Sequence, residues 1–410
     1  MSFAALWESL WPAGRDAGTG GYRRFSWTPA DAECRRWFFK AAEERGLRAS
    51  TDRNGNLWAW WDVPGTGSGA GPAGAVVTGS HLDSVPDGGA YDGPLGVVTA
   101  FAAIDLLREH GHRPVRPLAV AAFCEEEGGR FGVACLGSRL LTGAITPDRA
   151  RALADRDGVT LAGAMTAAGQ DPAALGPEPD LVDGIAAYVE LHIEQGRALA
   201  DLGAAIGVAE SIWPHGRWRL TFTGRADHAG TTRLADRHDP MLACAATILA
   251  AREAAARHGA LATVGKVNAE PGAVNAISSS VTAWLDARAP SEVTLHAVLD
   301  DVLAQARAGA AAQGAGLDAS QESVSTAVVF DAALRDRLVD TLAAAGIRAP
   351  VLGTGAGHDA GVLAARVPAG MLFVRNPTGV SHSPAEHAEP GDCATGVAAL
   401  AAVLDDLACR

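Results

Sequence analysis

Two patterns of apolar and polar residues alternate along this chain and predict two kinds of domain. In the first half, buried strands are predicted over residues 75–80 and 115–123, with an apolar helical pattern over 96–110 between them. Polar residues follow directly where each strand ends, and an apolar strand recurs over residues 371–374. This strand–helix–strand order predicts an α/β domain with a doubly wound mixed sheet.

The pattern changes near residue 212 and returns after about residue 327. Between these points the sequence predicts a strand over 218–224, a helix over 239–258, strands over 262–267 and 281–287, and a helix over 291–312. This β-α-β-β-α order predicts an inserted α+β domain of ferredoxin-like type, with two helices on one face of an antiparallel sheet. The predicted organisation is a catalytic domain split over residues 1–210 and 327–410, with an inserted domain over 211–326.

Composition and charge exclude several classes of function. The length of 410 residues favours two domains, and the net charge of −13 provides no electrostatic surface for nucleic acid or an anionic membrane. No signal peptide and no run of about 18 apolar residues is found, so a cytoplasmic protein is expected. The six cysteines form no C-x-x-C pair and are predicted to be reduced thiols. The Gly-, Pro- and Ser-rich residues 63–74 are predicted to form a surface turn.

The most informative polar residues follow the strand predicted over residues 75–80. His81 offers a ring nitrogen to a metal, and Asp83 is placed to hold the other ring nitrogen and fix the tautomer. Asp92 lies in the glycine-rich loop that follows, and its two oxygens can bridge two ions. This combination predicts a metal site at the end of a parallel strand.

Three further segments supply candidate ligands. Glu126 and Glu127 follow the second predicted strand, where one carboxylate can bind metal and the other can act as general base. A run of glutamates also fits an ordinary solvated loop, and His192 and His382 each also fit a structural role. Together these residues are enough for two ions that share a carboxylate. Nitrogen and oxygen ligands without Cys favour zinc, with manganese or cobalt as alternatives.

Seven motifs connect the candidates to a known family. They occur in the order G-S-H-L-D-S-V-P, Y-D-G-P-L-G-V, C-E-E-E-G-G-R-F, E-L-H-I-E-Q-G, D-H-A-G-T-T, G-A-G-H-D-A and S-H-S-P-A-E. With them, the chain resembles the M20 metallopeptidase superfamily over essentially its whole length, in the hydantoinase/carbamoylase amidase branch. That branch includes allantoate amidohydrolases, N-carbamoyl-L-amino-acid hydrolases and β-ureidopropionases. His192 marks the branch, because peptidase-type relatives usually carry an acidic ligand there.

The resemblance implies a role for each metal-site residue. It implies two ligand sets that share one carboxylate, namely His81, Asp92 and His192, and Asp92, Glu127 and His382. Glu126 would be the general base, and Asp83 would support His81. His228 in the insert would stabilise the oxyanion, although an ordinary turn histidine is the alternative interpretation.

The resemblance also implies residues that hold the substrate. Arg288 and Asn275 match positions that bind a substrate carboxylate, for which the planar fork of Arg is suited. Arg217 matches a position where allantoate-type members carry Arg. Gln195 and His358 are expected to line the pocket. The alternative interpretations are ordinary surface arginines and a turn asparagine.

The implied function is hydrolysis of a ureido C–N bond by a binuclear amidohydrolase with two divalent ions. Allantoate ranks first as substrate, because Arg217 adds a second anchor, and ammonia and CO2 would be released. N-carbamoyl-L-amino acids rank second and β-ureidopropionate third. The insert would act as a lid and form a homodimer. A metal-free pseudoenzyme that only binds ligand is a different class of function, and it is disfavoured because every expected ligand and the base are present.

Overall fold

The computed structural model describes residues 2–63 and 73–410, so most of the surface turn predicted over 63–74 lies outside the described residues. The strands are β1 Arg48–Thr51, β2 Leu57–Trp61, β3 Ala75–His81, β4 Leu118–Phe123, β5 Ile185–Ile193, β6 Ile206–Ile212, β7 His215–Thr223, β8 Asp227–His228, β9 Leu261–Glu270, β10 Ala276–Ile277, β11 Ser280–Arg288, β12 Gly316–Ser325, β13 Val328–Val329, β14 Val351–Thr354 and β15 Ala369–Val374. The helices are α1 Phe3–Leu10, α2 Pro29–Glu43, α3 Pro94–Glu109, α4 Leu136–Thr142, α5 Pro147–Arg151, α6 Leu161–Ala167, α7 Pro179–Asp183, α8 Ala198–Leu202, α9 Pro240–His258, α10 Glu292–Ala312, α11 Ala332–Ala344, α12 Asp359–Leu363 and α13 Pro390–Leu404.

A nine-stranded mixed sheet forms the centre of the larger of two compact units, which comprises Met1–Glu210 and Val329–Arg410. The strand order is β1-β2-β4-β3-β5-β15-β6-β13, and β14 pairs with β6. Strands β4, β3, β5 and β15 are parallel neighbours, whereas β2 runs antiparallel to β4, and β6 runs antiparallel to β15. The predicted mixed α/β sheet is therefore present.

The central strands are buried along their whole length. Every residue of β3, β4 and β15 is buried, which explains why their sequences are continuous apolar runs rather than alternating ones. Helix α3 is buried on nearly all sides and packs against β3, β5 and α13. Because β3, β4, β5 and β15 are parallel, their carboxyl ends lie at one edge of the sheet, where the polar segments that follow them converge.

The smaller unit, Ser211–Val328, has an α+β core of its own. Its antiparallel sheet has the order β12-β7-β11-β9, and β8 pairs with β10 in a separate two-stranded sheet. Alternate residues of β11 are buried and pack with α9 and α10 in one apolar cluster. The sequence analysis missed β12, because this edge strand is mostly polar and exposed and carries no clear apolar alternation.

Two further predictions concern the chain as a whole. Within the described residues, no helix is both long enough and apolar enough to cross a membrane. All six cysteines are free thiols, and five of them are buried.

Candidate metal centre

The polar residues that the sequence singled out in the larger unit meet at the carboxyl edge of the sheet. His81 is the last residue of β3, and His192 is the last but one of β5. Glu126 and Glu127 follow β4, and Asp92 lies two residues before the start of α3. The loop after β15 contributes His382, whose φ of +54° lies in the left-handed region.

Asp92 lies at the centre of this group. Its Oδ1 is 3.2 Å from Nε2 of His192 and 3.5 Å from Nε2 of His81. Its Oδ2 is 3.3 Å from Nε2 of His382, which in turn lies 3.3 Å from Oε2 of Glu127. The two oxygens of one carboxylate therefore face two different sets of ligand atoms. Within each set the candidate ligand atoms all lie within 4.8 Å of one another.

Several of these atoms are buried without a hydrogen bond. Among the described residues, Nε2 of His81, Nε2 of His192 and Oε1 of Glu127 have no hydrogen-bond partner. Buried polar atoms are normally paired, so unpaired atoms among the candidate ligands of both sets need an explanation. Divalent cations fit these residues, because imidazole nitrogens and carboxylate oxygens are ligands of zinc and related metals.

Second contacts fix the orientation of both imidazoles. Nδ1 of His192 lies 2.8 Å from the carbonyl oxygen of Ile193. Nδ1 of His81 lies 3.1 Å from the carbonyl oxygen of Asp83 and 3.6 Å from its Oδ1. An Nδ1–H that donates to these oxygens leaves Nε2 unprotonated and free for a metal.

Close packing of the loop against His81 requires glycine. Gly93 has a φ of +83°, and a Cβ at this position would lie 2.4 Å from atoms of the His81 ring. Any side chain there would displace the imidazole, so Gly93 allows the loop that carries Asp92 to approach β3.

Asp83 also holds the glutamate loop, a contact that the sequence analysis did not predict. Its two carboxylate oxygens accept hydrogen bonds from the backbone N–H groups of Glu126 and Glu127, each at 3.1 Å. One buried residue thus contacts both His81 and the loop that carries the proposed base.

The three consecutive glutamates do not form a solvated loop. Glu125 is 1% exposed, and its Oε1 accepts hydrogen bonds from the backbone N–H groups of Arg130 and Phe131. Glu126 is 5% exposed. Burial raises the pKa of Glu125 to about 7, with a contribution from the negative charge of Asp83. The loop therefore folds inward around its own carboxylates.

The electrostatics show an excess of negative charge. Burial opposes ionisation of Asp92, but the facing imidazoles outweigh this and hold its pKa well below the ordinary value. Burial raises the pKa of Glu126 well above its ordinary value and that of Glu127 to about 7. The contact with Asp92 raises the pKa of His382 to about 9. A divalent cation would relieve this repulsion between carboxylates.

The two carboxylate oxygens of Glu126 face different neighbours. Oε2 lies 3.7 Å from Nε2 of His81, and Oε1 accepts a hydrogen bond from the thiol of Cys135 at 3.3 Å. The sequence analysis did not identify Cys135, because a lone cysteine carries no pattern that indicates its neighbours.

Two predicted substrate residues lie beside the candidate metal ligands. Nε2 of Gln195 donates to Oδ2 of Asp92 at 2.7 Å and lies 3.2 Å from Nε2 of His382. The buried ring of His358 lies 4.5 Å from that of His192, and its Nε2 has no hydrogen-bond partner among the described residues. Burial lowers the pKa of His358 well below its ordinary value, so this imidazole is neutral.

Glu386 is a second residue that the sequence analysis missed. Its Oε2 accepts hydrogen bonds from the backbone N–H groups of Tyr91 and Asp92, both at 2.9 Å. Its Oε1 lies 3.3 Å from Oγ of Ser381. The carboxylate thus anchors the backbone at Asp92. The motif S-H-S-P-A-E contains this glutamate, but only the His was interpreted.

The remaining candidates lie in the smaller unit and form two groups. Arg217 on β7 and Arg288 on β11 both pair with Asp286, with Nε–Oδ distances of 3.2 and 2.9 Å. His228 pairs with Ala276 across β8 and β10, one residue from Asn275. Both His228 and Asn275 are exposed. Asp286 is a further residue that the sequence analysis missed.

Comparison with known proteins places this arrangement among hydrolases. A family model described as peptidase family M20/M25/M40 matches residues 77–406. The chain is 35% identical to an N-carbamoyl-L-amino acid amidohydrolase of Geobacillus stearothermophilus, and the match covers 96% of each chain. It is 34% identical to an allantoate amidohydrolase of Escherichia coli K12, over 95% of this chain and 93% of the relative.

A comparison with solved structures also matches this chain to an amidase. An amidase of the hydantoinase/carbamoylase family from Burkholderia multivorans superimposes with a TM-score of 0.87 at 30% identity. The superposition covers 100% of this chain and 98% of the other.

Proposed function

Since this chain belongs to peptidase family M20/M25/M40 and is a hydrolase of C–N bonds, we propose that it hydrolyses the ureido C–N bond of a carboxylate-bearing carbamoyl substrate. The family predicted from the seven motifs is confirmed, and so is the class of enzyme. The proposed products are ammonia, CO2 and the remaining amino compound. Allantoate is the proposed substrate.

One observation carries the proposal for the site. The two oxygens of Asp92 face two separate sets of ligand atoms, which is the arrangement expected of a carboxylate shared by two ions. We assign His81 and His192 to one ion, Glu127 and His382 to the other, and Asp92 to both. Such ions would polarise the ureido carbonyl and lower the pKa of a water molecule. Zinc is the proposed metal, with manganese or cobalt as alternatives.

Glu126 is the proposed general base. It takes a proton from the attacking water and delivers it to the leaving nitrogen. Its burial supports this role, because burial raises the pKa of the Glu126 carboxyl and so makes its carboxylate a stronger proton acceptor. His228 is the proposed donor to the negative charge that develops on the carbamoyl oxygen, a contact that supplies about 3 kcal/mol in comparable sites.

The substrate carboxylate is assigned to the arginines of the smaller unit. Arg217 and Arg288 lie on neighbouring strands and share Asp286, which sets the direction of both guanidinium groups. A planar guanidinium binds a carboxylate bidentately, which suits both arginines to this role. Asn275 is the proposed third contact. Arg217, as a second anchor near the ureido end, is the reason that allantoate ranks first among the candidate substrates.

Hydrolysis of N-carbamoyl-L-amino acids is the second candidate function. Its support is the identity of 35% to a carbamoyl-amino-acid hydrolase, which does not differ meaningfully from the 34% to an allantoate amidohydrolase. β-Ureidopropionate ranks third.

We also propose a homodimer formed by the smaller unit. Its sheet ends at β9, an edge strand with no further strand beside it among the described residues. On α9, Leu242 and Leu249 are 52% and 66% exposed. An open strand edge next to exposed leucines is a surface suited to a second copy.

A substrate panel tests the proposed function. Ammonia release is measured with allantoate, N-carbamoyl-L-amino acids and β-ureidopropionate, in the presence of zinc or manganese. Turnover of allantoate with the highest kcat/KM is expected. Glu126→Gln should abolish turnover while metal remains bound, because the amide cannot accept the proton. Full activity of this variant would refute the assignment of the base, and activity on none of the three substrates would refute the substrate class.

A further inference from the structure

We infer that the thiol of Cys135 is a positioning residue for the proposed base, which it orients by a hydrogen bond to one oxygen of Glu126. The inference rests on the proposed function, in which Glu126 moves the proton. The thiol sulfur lies 3.3 Å from Oε1 of Glu126. The other oxygen, Oε2, lies 3.7 Å from Nε2 of His81. The thiol thus fixes one oxygen and leaves the other facing the candidate ligands.

The backbone holds Cys135 in place for this contact. Its N–H donates to the carbonyl oxygen of Glu126 at 2.6 Å, and the N–H groups of Leu136 and Gly137 donate to Glu125 and Cys124 at 3.0 and 2.9 Å. These three bonds align the start of α4 with the glutamate loop. Cys135 has a φ of +54°, which is uncommon for a residue with a side chain. The same segment therefore fixes both the main chain and the carboxylate of Glu126.

The protonation state suits a donor. Cys135 is 4% exposed, and burial beside Glu126 raises its pKa well above the ordinary value of a thiol. The sulfur therefore keeps its proton. Among the described residues, Cys135 is the side chain that donates a hydrogen bond to the carboxylate of Glu126. Without it, the carboxylate can rotate about its terminal torsion, which has broad energy wells.

Two substitutions and a control test the inference. Cys135→Ala removes the donor, whereas Cys135→Ser keeps a donor in nearly the same volume. Cys34→Ala is the matched control, because Cys34 is 1% exposed in the main core and the substitution removes the same atom there. We expect kcat to fall about fivefold in Cys135→Ala, with KM and metal content unchanged. Cys135→Ser should restore kcat to within about twofold, and Cys34→Ala should leave it unchanged.

A spectroscopic readout does not depend on turnover. The S–H stretching band of Cys135 is isolated by infrared difference between the wild type and Cys135→Ser. It should lie at lower frequency than the band of Cys34, obtained from Cys34→Ala, and it should move when Glu126 is replaced by Gln.

The outcomes distinguish an error in the positioning role of Cys135 from an error in the assignment of Glu126 as the base. Three results would overturn the positioning role while the proposed base stands. They are full kcat in Cys135→Ala, no recovery of kcat in Cys135→Ser, and an S–H band whose frequency is unchanged in Glu126→Gln. If instead Glu126→Gln is fully active, the proposed base is wrong and the positioning role is overturned with it.

Discussion

Replacing Glu386 with Ala should weaken metal binding without removing any proposed ligand. Its Oε2 accepts the backbone N–H groups of Tyr91 and Asp92, both at 2.9 Å, and the side chain is 5% exposed. Ala leaves both donors without an acceptor in a buried place. Gly89 is fitted to the same carboxylate, because a Cβ there would lie 2.3 Å from Oε2 of Glu386.

The magnitude follows from the two orphaned N–H groups. Each buried donor left unpaired costs about 1–3 kcal/mol, so the two together cost about 2–6 kcal/mol. Burial raises the pKa of Glu386 to about 7, so removing the carboxylate relieves part of this cost. We expect a net loss of roughly 2–4 kcal/mol in the free energy of unfolding. Because the loop also positions Asp92, metal affinity should fall about 10–100-fold.

Glu386→Gln is the matched control. The amide oxygen can still accept both N–H groups, and the amide nitrogen can donate to Oγ of Ser381. Its unfolding free energy should stay within about 1 kcal/mol of the wild type. Urea unfolding and zinc competition with a chelating dye measure both quantities. The reasoning is refuted if the Ala variant keeps wild-type metal affinity, or if the Ala and Gln variants lose it equally.

Three further predictions concern other parts of the molecule. Asp286→Asn should raise KM about tenfold with little change in kcat, because Arg217 and Arg288 lose the carboxylate that sets their direction. Steady-state kinetics measures both constants, and a change confined to kcat would contradict this prediction. Glu127→Gln should stabilise the metal-free protein at pH 8 by on the order of 3 kcal/mol. Burial raises the folded pKa of Glu127 to about 7, so the wild type loses stability as pH rises from its unfolded pKa through 7. Urea unfolding at pH 5 and pH 8 should show the difference only at the higher pH, and a variant less stable at both would count against it. Leu249→Glu should convert the proposed dimer to a monomer, which sedimentation velocity detects; an unchanged dimer would place the interface elsewhere.

The sequence predicted best those features that depend only on the residue types within a short segment. Apolar runs predicted β3, β4 and β15, because a strand buried on both faces is made mostly of apolar residues. The residue that follows such a strand is placed at the carboxyl edge of the sheet, so His81 and Glu126 could be assigned to one location before any coordinates. Asp92 and His382 were candidates from the sequence as well, but their assignment to particular ions needed the family resemblance, since nothing in their own neighbourhood predicts which loops approach each other.

Residues that act through long-range contacts could not be predicted in this way. Glu386 is 294 positions from Asp92, and Asp286 is 69 positions from Arg217. A single Glu or Asp in a loop has the same local pattern whether it is solvated or holds a backbone N–H group. Cys135 illustrates the same limit at short range. Its thiol reaches Glu126 because Cys135 itself adopts a left-handed backbone conformation just before α4, and the sequence does not predict that conformation.

Several buried carboxylates lie together at the carboxyl edge of the sheet and determine the electrostatics of the site. Asp83, Glu126, Glu127 and Glu386 are buried or nearly so around Asp92, and burial raises the pKa of each of the three glutamates. A fold that needed only stability would replace several of them with apolar residues, since buried charges are costly unless they are paired.

Asp83 and Glu386 use their oxygens on backbone N–H groups. Among the described residues, Glu127 keeps one buried oxygen without a hydrogen-bond partner, and so do the Nε2 atoms of His81 and His192. The carboxylates that stabilise the loops and those left for cations are therefore different residues, so a substitution in the first group should change stability and affinity together. A substitution in the second group should weaken metal binding while it stabilises the metal-free protein.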